Sequence, residues 1–177
     1  MVFSRSVRLW LLPNAVLLTA LSLWGIVRYP HLPSRIPGHI GTNGVDEWTD
    51  RSVGSAFMPV FVHLGVTVLL TACAELTLRV TPQAELPDGA GPFGNALVRS
   101  SLKRPRTRAS ALRMARAVLV LNACTGLSLL IGCGALWRSA PEREVPGWLF
   151  VAMVAPMLAG TVLTVVASVR DRRTPVN

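Results

Sequence analysis

The sequence predicts an all-α membrane protein: a four-transmembrane-helix bundle with an ordered extracytoplasmic loop between helices 1 and 2. Three features predict this. Four separate runs stay apolar for about 20 residues, the length a helix needs to cross a hydrocarbon core of about 30 Å. The 18 basic residues fall unequally on the connections between those runs. The first connection, residues 29–50, is dense in Pro, Gly, His and Asp, a mixture that a plain linker between two helices does not require. With 51% of its 177 residues apolar and a positive mean hydropathy, the chain is too greasy for an ordinary soluble domain.

The four runs are Leu9–Val27, Ala56–Leu78, Ala117–Trp137 and Gly147–Val169. Each must be helical, because a backbone in lipid has to satisfy its own hydrogen bonds. The first run is longer than the apolar stretch of a signal peptide and no Ala-x-Ala site follows it, so it reads as an uncleaved span. Pro13, Pro59 and Pro156 are expected to bend their helices, and Asn14 and Asn122 to hydrogen-bond across helices. Small residues recur every four positions on the third span (Cys124, Ser128, Gly132) and the fourth (Ala152, Pro156, Gly160), forming faces that let backbones approach closely. Cys73, Cys124 and Cys133 lie inside apolar runs without metal-finger spacing and read as small packing residues.

Charge sets the orientation. Arg5 and Arg8 precede the first span, and Arg170, Arg172 and Arg173 follow the last. The second connection and its flanks hold Arg79, Arg99, Lys103, Arg104, Arg106, Arg108, Arg113 and Arg116. Only Arg28, Arg35, Arg51, Arg138 and Arg143 fall on the other side. The positive-inside bias places both termini and the long basic loop in the cytoplasm. Contact with anionic lipid headgroups then accounts for the net charge of +9, and no nucleic-acid partner is needed. Trp24, Tyr29, Trp137 and Trp148 fall at the outer interface and Trp10 at the inner one, as an aromatic belt would have them.

The chain therefore divides into a first unit, residues 1–80, holding span 9–27, outer loop 28–55 and span 56–78. A basic cytoplasmic loop (81–116), a helical hairpin (117–169) and a cytoplasmic tail (170–177) follow. In the inner loop, Pro82, Pro87, Gly89, Gly91, Pro92 and Gly94 oppose a helix, and Ser101–Arg108 reads as a flexible basic strap on the membrane surface.

The outer loop has its own logic. Pro30, Pro33 and Pro37 stiffen the segment leaving the first span, and Gly41 and Gly44 permit left-handed turn geometry. The expected product is a compact cap over the bundle with Trp48 as its apolar anchor, and with Asp50 or Ser52 capping the second span. The residues Leu32-Pro33, Ile36-Pro37, His39, Gly44, Asp46 and Trp48 resemble the signature of the DUF1648 family of integral-membrane domains, over about Leu9 to Leu70. The same domain fronts SdpI-like proteins, which serve in bacterial toxin immunity and signal transduction. That resemblance implies a bacterial cytoplasmic-membrane protein that binds or senses an extracytoplasmic peptide or envelope ligand through its cap, with Pro37, His39, Gly44, Asp46 and Trp48 as the candidate residues.

Two groups of residues carry chemistry. His39 and Asp46, with His63, have the donor types of a zinc-type divalent metal site. The simpler account, which needs no cofactor, has His39 and Asp46 hydrogen-bond each other and the backbone to hold the loop. His63, Thr67, Thr71 and Glu75 recur every four residues on the second span and form a polar stripe on one helix face. A small proton-coupled transporter would use them, although an i,i+4 pair with Arg79 also explains Glu75. No nucleophile–base pair, phosphate-binding glycine loop or dinucleotide fingerprint occurs, so the sequence leans away from an enzyme, a metal-dependent membrane enzyme being the least favoured reading.

Overall fold

The computed structural model describes residues 5–41, 44–85, 104–137 and 146–173. Helix α1 spans Arg5–Arg28, and a 3-10 turn at Tyr29–His31 leads into a β-hairpin of strands β1 (Arg35–Gly41) and β2 (Gly44–Asp50). A single helical turn, α2 (Val53–Ala56), precedes α3 (Met58–Arg79). Helices α4 (Arg108–Leu136) and α5 (Gly147–Arg173) complete the bundle. Four of these helices are long and apolar enough to cross a membrane.

Burial in the bundle runs opposite to that of a water-soluble protein. Val16 (65% exposed), Val68 (62%) and Val151 (69%) point outward, whereas Asn14, His63 and Asn122 are fully enclosed. Lipid is as apolar as a valine side chain, so it exerts no drive to bury Val; the polar groups are the ones that must turn inward. The chain is a multi-pass membrane protein on this account.

Helix α4 is the hub, packing against α1, α3 and α5, while α1 also meets α3. The α4–α5 seam is built on the small residues that the sequence singles out. A Cβ on Gly160 would lie 3.1 Å from the Cys124 Cβ and from the Leu121 Cα, and one on Gly132 would lie 3.1 Å from the Met153 methyl. Between these contacts the Ser128 hydroxyl donates to the Met153 carbonyl at 2.6 Å. Asn14 and Asn122 also work across helices: Asn14 donates to the Leu119 carbonyl at 3.2 Å, and Asn122 donates to the Thr67 hydroxyl at 3.0 Å.

Several elements depart from the sequence expectation. Pro59 bends nothing, because it stands in the first turn of α3, where its missing N–H is no loss. The helix is broken just before it, at Phe57, since a proline ring cannot accept the carbonyl four residues back. Ser52, not Asp50, caps the helical turn that precedes α3: its hydroxyl accepts from the Ser55 amide at 3.0 Å, and Ser55 returns the bond in a capping box. Asp50 stays exposed beside Arg35 at 3.9 Å. Helix α4 begins at Arg108, nine residues before the start read from hydropathy, because Thr107 caps it through the Ser110 amide. Of the proposed strap, residues 101–103 lie outside the described residues. Arg108 is held in a fork by Glu85, both bonds at 2.9 Å, and donates to the Leu78 carbonyl at 3.2 Å. The connection at 138–145 also lies outside the described residues.

Trp137 is not an interfacial belt residue. It is 2% exposed and stands at the centre of the cluster where the hairpin meets the bundle, with Leu21, Leu32, Ile36, Ala56, Val60 and Cys133. Its indole N–H donates to the Ala56 carbonyl at 2.9 Å, and its own carbonyl accepts the Arg28 guanidinium at 3.0 and 3.1 Å. Gly25 makes room for this packing, since a Cβ would lie 2.9 Å from the Phe57 ring and 3.0 Å from Trp137 and would force the rings to shift. Replacing Trp137 with Ala should cost about 3–5 kcal/mol. Reversible unfolding in mixed micelles measures this, and a loss near zero would remove Trp137 from the core.

Candidate functional site

The outer loop of the sequence reading is a two-stranded antiparallel hairpin. Its buried face belongs to β1 and the approach to it: Ile36 is fully enclosed and Leu32 is 4% exposed, both packed into the Trp137 cluster. Ile36 is thus the anchor assigned above to Trp48, which is only half-buried across the register from Pro37. Period-two alternation along β1 decides which side chain points inward, and it selects Ile36. Arg51 locks the base of the hairpin by donating to the Leu32 carbonyl at 2.6 Å while lying over the Tyr29 ring. Gly44, at the far end, has φ +105°, a conformation open to glycine and strained for other residues.

Two register shifts interrupt the hairpin, so that His39 pairs with Glu47 while Gly38 and Asp46 have no cross-strand partner. Bulges of this kind re-aim side chains. Here the result is a direct bond between His39 Nδ1 and Asp46 Oδ1 at 2.7 Å, on the exposed face. An ionised carboxylate only accepts, so Nδ1 carries the hydrogen of this bond. The hydrogen bond from His39 is the main cause holding the Asp46 carboxyl below its ordinary 3.8. The hydrogen bond expected between His39 and Asp46 is therefore present. His63, the third residue of the metal reading, lies on α3 below the Trp137 cluster. Among the described residues no three His, Cys, Asp or Glu side chains converge.

The stripe on α3 faces the bundle. His63 is enclosed against Gly126, where a Cβ would lie 2.6 Å from the ring, and neither ring nitrogen has a hydrogen-bond partner among the described residues. One turn on, Thr67 and Asn122 exchange bonds, the Asn122 amide donating at 3.0 Å and the Thr67 hydroxyl at 3.4 Å. The Thr71 hydroxyl and the Asn14 side-chain carbonyl are buried without a partner among the described residues. Glu75, 8% exposed, lies 3.6 Å from Arg79. The sequence reading missed Gly126. Its only signal is its place one turn beyond Asn122, where a glycine makes room for a ring on a facing helix.

Asp46 releases its proton more readily in the folded hairpin than in an unfolded chain. Its bond to His39 therefore stabilises the hairpin above the ordinary carboxyl value of 3.8, and that stabilisation is lost as pH falls through the lowered folded value. Trp48 fluorescence should report this loss between about pH 5 and pH 2. Asp46→Asn should flatten the profile; an unchanged acid transition in that variant would refute the role of the pair.

No curated protein and no solved structure matches the chain. The model of the DUF1648 family, a domain of unknown function, matches residues 16–62, which run from mid-α1 through the hairpin into the first turns of α3. The hairpin with its His39–Asp46 pair lies wholly inside that match, and this segment of the chain belongs to the DUF1648 family.

Proposed function

We propose that this protein is a binding or sensing component of a bacterial cytoplasmic membrane, an immunity or signalling accessory of the SdpI-like kind, whose hairpin is its extracytoplasmic receptor surface. The supporting observation is the two-faced build of the hairpin. Its exposed face holds an imidazole oriented by Asp46, and its buried face, through Ile36 and Leu32, shares one apolar cluster with Trp137 and with residues of α1, α3 and α4. A peptide or envelope ligand that hydrogen-bonds His39 and packs on Trp48 would shift the hairpin, and the shift would reach the helices through that cluster.

The basic residues support the accompanying topology. Arg8, Arg79, Arg113, Arg116 and Arg170 all cluster at the end of the bundle opposite the hairpin. That end suits the cytoplasmic leaflet and its anionic headgroups, which leaves the hairpin outside and both termini in the cytoplasm.

Exchanging residues 29–50 between this protein and a relative with a different response should transfer the response to toxin or envelope stress. Normal expression without transfer would refute the receptor reading. Sidedness is tested separately, in a background with Cys73, Cys124 and Cys133 replaced by Ala. Glu47→Cys should react with an impermeant thiol reagent added to intact cells and Thr81→Cys should not; the reverse pattern would invert the topology.

A further inference from the structure

The arginines at the basic end are not equivalent. Arg79 lies 3.6 Å from Glu75, Arg108 is held by Glu85, and Arg113 donates to the Ser110 hydroxyl at 3.3 Å. Arg116 is exposed and makes no hydrogen bond or ion pair among the described residues. It stands at the exposed rim of a crevice between α1 and α4, whose other lining residues are Val7, Leu112, Ala115 and Leu119. Val7, Ala115 and Leu119 are at most 2% exposed, so the crevice floor is the outer side of the apolar cluster that closes this end of the bundle. No acidic side chain lines it.

The crevice continues along the bundle as a furrow. Helix α1 meets α4 where Asn14 donates to the Leu119 carbonyl and Leu17 reaches Gly126, and α5 meets it at Ala117, Leu121 and Cys124. Between those two faces, at the spacing of a single helix face, run Arg116, Val120, Ala123 and Leu127. Arg116 is exposed and Leu127 is 41% exposed, so neither neighbouring helix covers this strip. A helical side chain leans toward the N-terminus of its helix, which carries the Arg116 guanidinium away from Leu127 and toward the aqueous edge. A cation therefore stands at the membrane boundary, with an apolar furrow running from it into the bilayer.

We propose that this furrow is a binding site for one anionic glycerophospholipid of the leaflet at the basic end. The phosphodiester sits on Arg116, whose planar fork matches two phosphate oxygens. The upper methylenes of one acyl chain fill the crevice against Val7, Leu112 and Leu119, and the chain runs on over Ala123 and Leu127. Charge selects the headgroup. Arg8 follows Val7 and Arg113 follows Leu112 in the chain, both exposed, while Glu75 and Glu85 are already paired with Arg79 and Arg108. A choline head would bring its own cation beside those arginines, and a glycerol head would not. A lipid so held touches α1 and α4 at once and ties them together at the end opposite the hairpin. The site is independent of what the hairpin binds and of which compartment the basic end faces.

Native mass spectrometry of the full-length protein, released from neutral-detergent micelles, counts the lipids that remain bound. Phosphatidylglycerol should add one adduct at a lower concentration than any further ones, and phosphatidylcholine with the same chains should not. Arg116→Gln should weaken that first adduct about tenfold, the loss of one charge-assisted bond, whereas Arg113→Gln should leave it in place. In the same micelles phosphatidylglycerol should raise the unfolding temperature of the unaltered protein and not that of Arg116→Gln. Absence of a distinct first adduct, equal binding of the two lipids, or equal losses in the two variants would overturn the proposal. Displacement of phosphatidylglycerol by excess inorganic phosphate at constant ionic strength would also overturn it, by marking an anion site without a lipid furrow.

Discussion

The hydrocarbon around this bundle offers no hydrogen bonds, and that single constraint decides where each polar group goes. In water, Asn14, Thr67 and Asn122 could lie on any surface. In lipid each must find a partner on a neighbouring helix, and each partner found pins the rotation of one helix against another. Asn14 reaches the backbone of α4, Thr67 and Asn122 join α3 to α4, and Ser128 joins α4 to α5. Packing of small residues brings the helices close; the polar bonds select which faces meet.

The hairpin obeys a different rule, because it stands beyond the helices. Its stability comes from one apolar face pressed onto the bundle, and its exposed face is correspondingly free to carry chemistry. The register shifts that set Asp46 beside His39 cost ladder bonds, and the docking of Ile36 and Leu32 under Arg51 and Trp137 offsets that loss. A two-stranded hairpin alone is marginal in water, so its form depends on α4 supplying Trp137 and on α1 supplying Gly25 and Leu21.

Much of the bundle was legible in the sequence, since span length, small-residue spacing and interhelical Asn residues follow from properties that a residue carries wherever it is placed. The start of α4 was less so, because hydropathy marks where lipid begins and the Thr107 cap marks where the helix begins, nine residues apart. The inward turn of Trp137 was illegible: an indole at a span end suits an interface and a core equally, and the packing of Gly25 and Phe57 against it decides. For the candidate site, the partnership of His39 with Asp46 could be anticipated from residue types. The bulges that bring them together depend on strand register, which the proline-rich loop concealed.

The central place of α4 has a consequence for biogenesis. A ribosome delivers α1, the hairpin and α3 to the insertion machinery well before α4 emerges. During that interval Asn14, His63 and Thr67 stand on half-built surfaces, with the α4 residues that enclose them in the finished bundle still untranslated, and the indole that seats the hairpin does not yet exist. The early half of the polypeptide must therefore be sheltered by the insertase or by lipid headgroups until the third span arrives, and quality-control proteases that survey polar residues in the bilayer have their opening at that moment.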